Sequence, residues 1–307
     1  MNILITGSTG FLGKHLSNKL KNLNHNVTEV SSKTFDLTNY ELVKSIPSSN
    51  YDLIFHLAAW TRAGSFCEKF QGDQWIINQQ INTNILKWWK DFSPKSKLIA
   101  FGTSASYSTS ENLIEDNYMK GEPIEKFYAY AMTKRMLLVG LKSLNKQYGM
   151  NYLYVVPSTL YGPDYHLDGR EMHFIYDVIR KIDNSKNTGE PIVLFGDGFQ
   201  KRELIYIDDF IKALLVLSMQ INNDIINIGS GSDHTIRDFA KICCKIIGVD
   251  FNEIKYDENE YVGLKSKVLD ISKLQNIYDL KSKQIDIQNG IAKTIEWHRN
   301  SNSNKIV

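Results

Sequence analysis

The first thirteen residues constrain the fold more than any other stretch. Asn2-Ile-Leu-Ile-Thr6 is a short apolar strand, and Gly7-Ser-Thr-Gly10-Phe-Leu-Gly13 follows it directly. Phe11, Leu12, Leu16 and Leu20 then fall on one stripe of a helix. A strand, a glycine turn and a helix in that order make the anion site of a helix N-terminus. Gly7, Gly10 and Gly13 carry no Cβ, so the backbone there can approach a pyrophosphate. A chain that opens this way is expected to fold as a parallel α/β sheet around a dinucleotide.

The rest of the first half keeps the rhythm. Strand patterns fall at 2–6, 27–31, 52–56, 97–101 and 152–156, and helical patterns near 11–23, 74–91 and 127–148. Alternation of this kind predicts a doubly wound parallel sheet of the Rossmann type. Leu98-Ile-Ala-Phe101 is continuously apolar, as a strand covered on both faces should be. Beyond Pro157 the pattern weakens, with loops expected around 162–172 and 184–203. Strands at Leu204–Ile207 and Ile225–Ile228 are expected to return to the first sheet. The division is therefore a dinucleotide-binding domain over 1–160 and a smaller C-terminal α/β substrate lobe, mainly 161–307. No internal repeat is visible, and the polar tail Asn300–Val307 is expected to be mobile.

Composition removes several classes of function. The net charge of +2 over 307 residues gives no basis for binding nucleic acid or a membrane surface. No run of 18 apolar residues is present, and the first strand begins where a signal-peptide core would lie. Cys67, Cys243 and Cys244 have neither a disulfide framework nor metal-site spacing. A cytoplasmic, metal-free enzyme is the expectation.

Its chemistry is suggested by Tyr128-Ala-Tyr130-Ala-Met-Thr-Lys134. Positions i and i+4 share a helix face, so Tyr130 and Lys134 are neighbours. A cation beside a phenol favours the phenolate and is expected to lower a tyrosine pKa from its usual value near 10. Such a pair can move a proton near neutral pH. Tyr128 lacks the pairing, because Met132 stands four residues later.

These features resemble the extended short-chain dehydrogenase/reductase family, and the likeness runs along nearly the whole chain. It includes His56-Leu-Ala-Ala59, Asn78 and Asn84 in the next helix, Thr103-Ser104, and Pro157-Ser-Thr-Leu-Tyr-Gly-Pro163. Gly196-Asp-Gly198, Arg202, Tyr206-Ile-Asp-Asp209 and Asn227-Ile-Gly229 complete it. Within the family the GDP-L-fucose synthase branch is most similar. The grounds are Gly102-Thr-Ser-Ala-Ser-Tyr107, Val156-Pro-Ser-Thr-Leu-Tyr-Gly-Pro163, Glu171-Met-His173 and Gly263-Leu-Lys-Ser-Lys-Val-Leu-Asp270.

The resemblance implies a reducing triad of Thr103, Tyr130 and Lys134. Thr103 stands where the family has serine, and its hydroxyl can still polarise a carbonyl. The second departure is Ala105, at the place of the branch's acid/base cysteine. The matching histidine, His173, is retained. It is open between proton transfer, substrate positioning and an inert surface role. Alanine cannot carry a proton, so 3,5-epimerisation is in doubt while reduction is not.

The expected cofactor is NADP(H). The second strand ends at Ser31-Ser32-Lys33, two hydroxyls and a cation where an NAD site needs a carboxylate. Glu29 lies inside the strand and should not reach, and Lys33 could equally be a solvated loop residue. Further cofactor contacts are expected at Thr9, Phe11, Leu12, Asp36, Leu37, Leu57, Ala58, Ala59, Pro157 and His173. Substrate contacts are expected at Ser104, Ala105, Thr159, Lys181, Phe195, Arg202 and Lys267, with Arg202 on a diphosphate. The expected reaction is reduction of the 4-keto group of a GDP-linked 4-keto-6-deoxy sugar, hexose or heptose, read by loops near 164–175 and 257–267. A bifunctional epimerase/reductase and an NAD-retaining 4-epimerase remain alternatives. A dehydratase would carry Asp-Glu where Ala105-Ser106 stand, and a cofactor-sensing regulator would lack the Tyr130/Lys134 pair. The resemblance also implies a homodimer through the helices near 74–91 and 127–148. Trp88 and Trp89 lie on the first of these, and adjacent positions are not expected to face the same core.

Overall fold

A computed structural model describes residues 1–259 and 264–303. Six parallel strands form the large sheet: β1 (Asn2–Thr6), β2 (Asn26–Val30), β3 (Leu53–His56), β4 (Lys97–Phe101), β5 (Tyr152–Pro157) and, late in the chain, β9 (Asp224–Ile228). Their order is β2-β1-β3-β4-β5-β9, all parallel. The order reverses direction at β1, and the crevice beyond such a reversal is where ligands of open α/β sheets bind. Helices α1 (Phe11–Asn22), α2 (Tyr40–Lys44), α3 (Phe66–Lys69), α4 (Gln71–Phe92) and α5 (Tyr128–Tyr148) connect the first five strands.

The strand expected near 204–207 does not return to this sheet. It is β8 (Lys201–Tyr206), which pairs with β6 (Thr159–Tyr161), β10 (Asp233–Thr235) and β12 (Ser266–Lys267) in a second sheet. The place beside β5 is taken by β9, with Val155 opposite Ile226. An apolar run identifies a strand but carries no information about its partner. The expected loop over 184–203 is also shorter than thought. It contains the end of α6 (Phe174–Thr188), all of β7 (Ile192–Phe195) and the start of β8. β7 pairs with β11 (Ile254–Asp257).

Helices α7 (Ile207–Gln220), α8 (Ile236–Ile247), α9 (Ser272–Gln275) and α10 (Ile287–Ser303) complete the described chain. α10 covers the start of the tail expected to be mobile, whose residues 304–307 lie outside the described residues, as do 260–263 of the expected sugar-reading loop. One core surrounds the large sheet and takes in Phe210 and Leu214 of α7 and Leu274 of α9; the other joins Ile179 of α6, Phe239 of α8 and Ile291 of α10. Trp88 and Trp89 are both fully buried. α4 is covered on two sides: Trp88 stacks near Tyr51 and Phe92, and Trp89 donates its indole N–H to the Ser96 carbonyl at 3.0 Å. Among the described residues no helix is long and apolar enough to cross a membrane.

Candidate active site

β1 ends at Thr6 and the chain turns at Gly7, whose φ of +71° lies in the left-handed region. A Cβ at Gly7 would lie 2.8 Å from the Ala58 nitrogen, and one at Gly13 would lie 2.8 Å from the Ser8 Cα. Only glycine fits either place. The Gly10 N–H closes the turn on the Gly7 carbonyl at 3.0 Å, and no side chain caps the first N–H groups of α1. Those donors, at the positive end of the helix, suit a pyrophosphate.

The turn is wired to the opposite side of the sheet. The Ala58 N–H donates to Thr6 Oγ1 at 3.3 Å, Thr6 Oγ1 meets His56 Nδ1 at 2.8 Å, and His56 Nε2 meets Asn82 Oδ1 at 3.2 Å. Burial, with Lys134 adding, pulls the His56 pKa down to about 4, so the ring is neutral. Nε2–H therefore donates to Asn82, and Nδ1 accepts from Thr6. Two further asparagines of α4 fix loops. Asn78 bonds both backbone groups of Trp60 at 2.9 and 3.1 Å, and Asn84 donates to the Leu37 and Thr38 carbonyls at 2.8 and 3.1 Å.

A cleft of about 2300 Å³ opens from the glycine turn across the ends of β3, β4 and β5 and under the second half of the chain. It brings together the expected catalytic residues Thr103, Tyr130, Lys134 and His173. Of the expected cofactor contacts it also exposes Gly7, Thr9, Gly10, Phe11, Leu12, Gly13, Leu57, Ala59 and Pro157. The expected substrate contacts Ser104, Ala105, Thr159, Lys181, Phe195, Arg202 and Lys267 all line it. Ser31, Ser32, Lys33, Asp36, Leu37 and Ala58 do not. Ala58 instead backs Gly7, and Leu37 is buried. Ser31 closes a turn with Thr34, Asp36 accepts from the Thr38 backbone and hydroxyl at 2.9 and 2.8 Å, and Ser32 and Lys33 are exposed beyond the end of β2. Glu29 is engaged by Ser17 and by Lys21 at 2.8 Å, which turns its carboxylate to α1.

Thr103 is both a cap and a cleft residue. Its Oγ1 accepts from the Ala105 N–H at 3.2 Å, which leaves the hydroxyl proton to donate. Lys134 Nζ lies 5.8 Å from the centre of the Tyr130 ring. Here one expectation is corrected: the Tyr130 pKa is raised, not lowered. Burial is the largest cause, Cys67 and Tyr118 add to it, and the Thr61 hydroxyl is the group that pulls the other way. Desolvation of the phenolate dominates the site. Burial also lowers the Lys134 pKa from 10.5 to about 8. At neutral pH the pair is a phenol beside an ammonium.

His173 opens the N-terminus of α6 and lines the cleft as an exposed residue. Desolvation first, then Lys267 and His166, push its imidazole below its usual value, which favours the neutral ring. Tyr165 stacks on Tyr176 at 4.0 Å and lies 6.0 Å from the His173 ring. Arg202 donates to the Leu264 carbonyl at 2.8 Å and is opposite Lys267 in the second sheet. Lys181 is not an isolated cation: it pairs with Asp177 at 2.9 Å and lies over the Phe195 ring at 4.4 Å. Thr61 at the cleft wall had no signal in the sequence, because it follows His56-Leu-Ala-Ala59 in a stretch without periodicity. Cys67 lines the same cleft, and Glu171 reaches across to the Ser65 hydroxyl at 2.8 Å.

The chain is 29% identical to a GDP-L-colitose synthase of Yersinia pseudotuberculosis, over 99% of this chain and 100% of the relative. Its fold is similar to that of a GDP-6-OMe-4-keto-L-xylo-heptose reductase from C. jejuni, with a TM-score of 0.86, 21% identity and 98% of each chain covered. It is also similar to a GDP-L-fucose synthetase from Naegleria fowleri bound to NADP, with a TM-score of 0.85, 22% identity, and 98% of this chain and 95% of that one covered. The model of the NAD dependent epimerase/dehydratase family matches residues 3–229, a span that holds the glycine turn, Thr103, Tyr130 and Lys134, and the chain is a member of that family of extended short-chain dehydrogenases/reductases.

Proposed function

We propose that this protein is an NADPH-dependent reductase of the 4-keto group of a GDP-linked 4-keto-6-deoxy sugar, hexose or heptose, and that it leaves carbons 3 and 5 as it receives them. One observation carries the reading: Thr103, Tyr130 and Lys134 line one cleft with the glycine turn, and a buried Ala105 lines the same wall where an acid/base thiol would be needed. When bound, the nicotinamide supplies hydride to the carbonyl carbon. Thr103 donates a hydrogen bond to the carbonyl oxygen. Tyr130, which holds its proton at neutral pH, gives it to the oxygen as negative charge develops there. Lys134 keeps a positive charge beside that transfer. His173, neutral and on the cleft, positions the sugar.

The choice of NADP rests on the end of β2, where Ser32 and Lys33 are exposed and Glu29 is turned away by Lys21. The choice of GDP rests on the names of the relatives, and Arg202 with Lys267 supplies charge for a diphosphate. The first lobe then holds the cofactor and the second the sugar nucleotide. α4 and α5 present Trp75, Ile76, Met136 and Val139 to solvent, an apolar face that supports a homodimer through these helices. The test is NADPH oxidation against a panel of GDP-4-keto sugars, with product configuration by NMR. Substrate-dependent oxidation with at least one of them is expected. Interconversion of 4-hydroxy sugars by protein with tightly held NAD, without net NADPH consumption, would favour a 4-epimerase instead.

A further inference from the structure

We infer that Tyr118 and Tyr154 are positioning residues that hold the carbonyl-binding turn at Thr103 in register with the helix carrying Tyr130 and Lys134. The Thr103 N–H donates to the Tyr118 oxygen at 3.4 Å. Tyr118 and Tyr154 share a hydrogen bond of 3.0 Å, and the Tyr154 hydroxyl donates to the Lys134 carbonyl at 2.7 Å. Proton counting fixes the direction. Tyr154 has one hydroxyl proton, and the Lys134 carbonyl takes it, so Tyr118 is the donor between the two phenols. The chain Thr103 N–H, Tyr118 O–H, Tyr154 O–H, Lys134 C=O then has one polarity and no spare proton.

The surroundings hold this arrangement. Tyr118 is 1% and Tyr154 0% exposed, so water does not offer a substitute partner. Their rings meet edge to face at 5.5 Å, and Tyr107 packs against Tyr118 at 5.2 Å while its own hydroxyl donates to Asn227 at 2.7 Å. A Cβ at residue 102 would lie 2.6 Å from the Tyr118 oxygen and 2.7 Å from Tyr154, so Gly102 is what leaves room for the chain beside the active-site turn. Neither tyrosine lines the cleft. Both act through other residues: Tyr118 through the backbone of Thr103, whose Oγ1 is already turned by the Ala105 N–H, and Tyr154 through the turn of α5 that places Tyr130. A small drift of that turn moves a carbonyl donor out of line, and misplacements of this size can cost up to about a hundredfold in rate.

The inference rests on the ketone reduction proposed above, so its test has an arm that does not need activity. Tyr118→Phe is compared with the wild type by hydrogen exchange of the amides of residues 103–106, by NADPH affinity, and by kcat. Faster exchange at Thr103, NADPH affinity within about twofold and kcat lower by about tenfold are expected. In a Thr103→Val background, which removes the hydroxyl that Tyr118 positions, Tyr118→Phe should cost no more than about twofold further. A purely structural role would multiply the two losses. If Tyr118→Phe does not fold, Tyr154→Phe leaves the Thr103 N–H on Tyr118 but frees the Lys134 carbonyl, so it is read by kcat and NADPH affinity, with a lower kcat at unchanged affinity expected and an unchanged kcat overturning the inference. Unchanged exchange at Thr103, unchanged kcat, or multiplied losses would overturn the inference. A wild type inactive toward every ketosugar would count against the reductase reading, and exchange at Thr103 would still decide this one.

Discussion

Lys134 should make the protein less stable at neutral pH, and its removal should show by how much. The residue is 4% exposed, its Nζ lies 5.8 Å from the centre of the Tyr130 ring, and no carboxylate pairs with it among the described residues. Burial lowers its pKa from 10.5 to about 8. At about 1.4 kcal/mol per unit, that difference amounts to a destabilisation of about 3 kcal/mol while the amine is charged. The folded state binds the proton more weakly than the unfolded chain does. The cost is therefore complete below about pH 8 and is relieved as pH rises toward 10.5. Lys134→Met keeps the shape and removes the charge. Urea unfolding should find the variant more stable than wild type by about 1–3 kcal/mol at pH 7, with the advantage shrinking by pH 10. Its reductase activity should be lost. A variant that is less stable at pH 7, or equally advantaged at both pH values, would refute the reasoning.

Other consequences follow from the same geometry. Tyr130→Phe should lower kcat by about a hundredfold or more, the usual worth of a positioned general acid, with little change in NADPH binding; near-normal NADPH oxidation would remove Tyr130 from the triad. The kcat of reduction should hold through neutral pH and fall above about 8, as Lys134 loses its proton while Tyr130 keeps its own. A rate flat to pH 10 would separate Lys134 from the chemistry. Ser32→Asp should shift preference from NADPH toward NADH by setting a negative charge against the 2′-phosphate. Equal use of both cofactors by the unaltered protein would contradict that site.

The glycine turn, the first five strands and the Tyr130/Lys134 pair were legible because each depends on short-range rules. Gly7 must be glycine to hold φ at +71°, and residues four apart share a helix face. What could not be read depends on partners distant in the chain. β8 has the composition of a large-sheet strand, yet it pairs with β6 and β12, a choice set by β9 filling the edge beside β5. The sign of the Tyr130 shift depends on distant partners too, because helix spacing places Lys134 nearby but says nothing of the burial of the phenol or of Cys67 and Tyr118 beside it. Trp88 and Trp89 are both buried because α4 is covered on two sides, which adjacency in sequence cannot show.

The central claim is reduction without epimerisation, and turnover in heavy water tests it most directly. Inverting carbon 3 or carbon 5 beside a ketone needs a base on one face of the ring and an acid on the other. His173 can serve one face, and Ala105, which lines the same cleft, offers only a methyl group. Product formed from a GDP-4-keto-6-deoxy sugar and NADPH in heavy water should carry no enzyme-dependent deuterium at carbons 3 and 5, measured against a control for spontaneous exchange. His173→Asn, which keeps a hydrogen-bond donor, should slow the reduction only modestly. Enzyme-dependent deuterium at either carbon would contradict the account and would make the cleft-lining Cys67 the first acid/base candidate to replace.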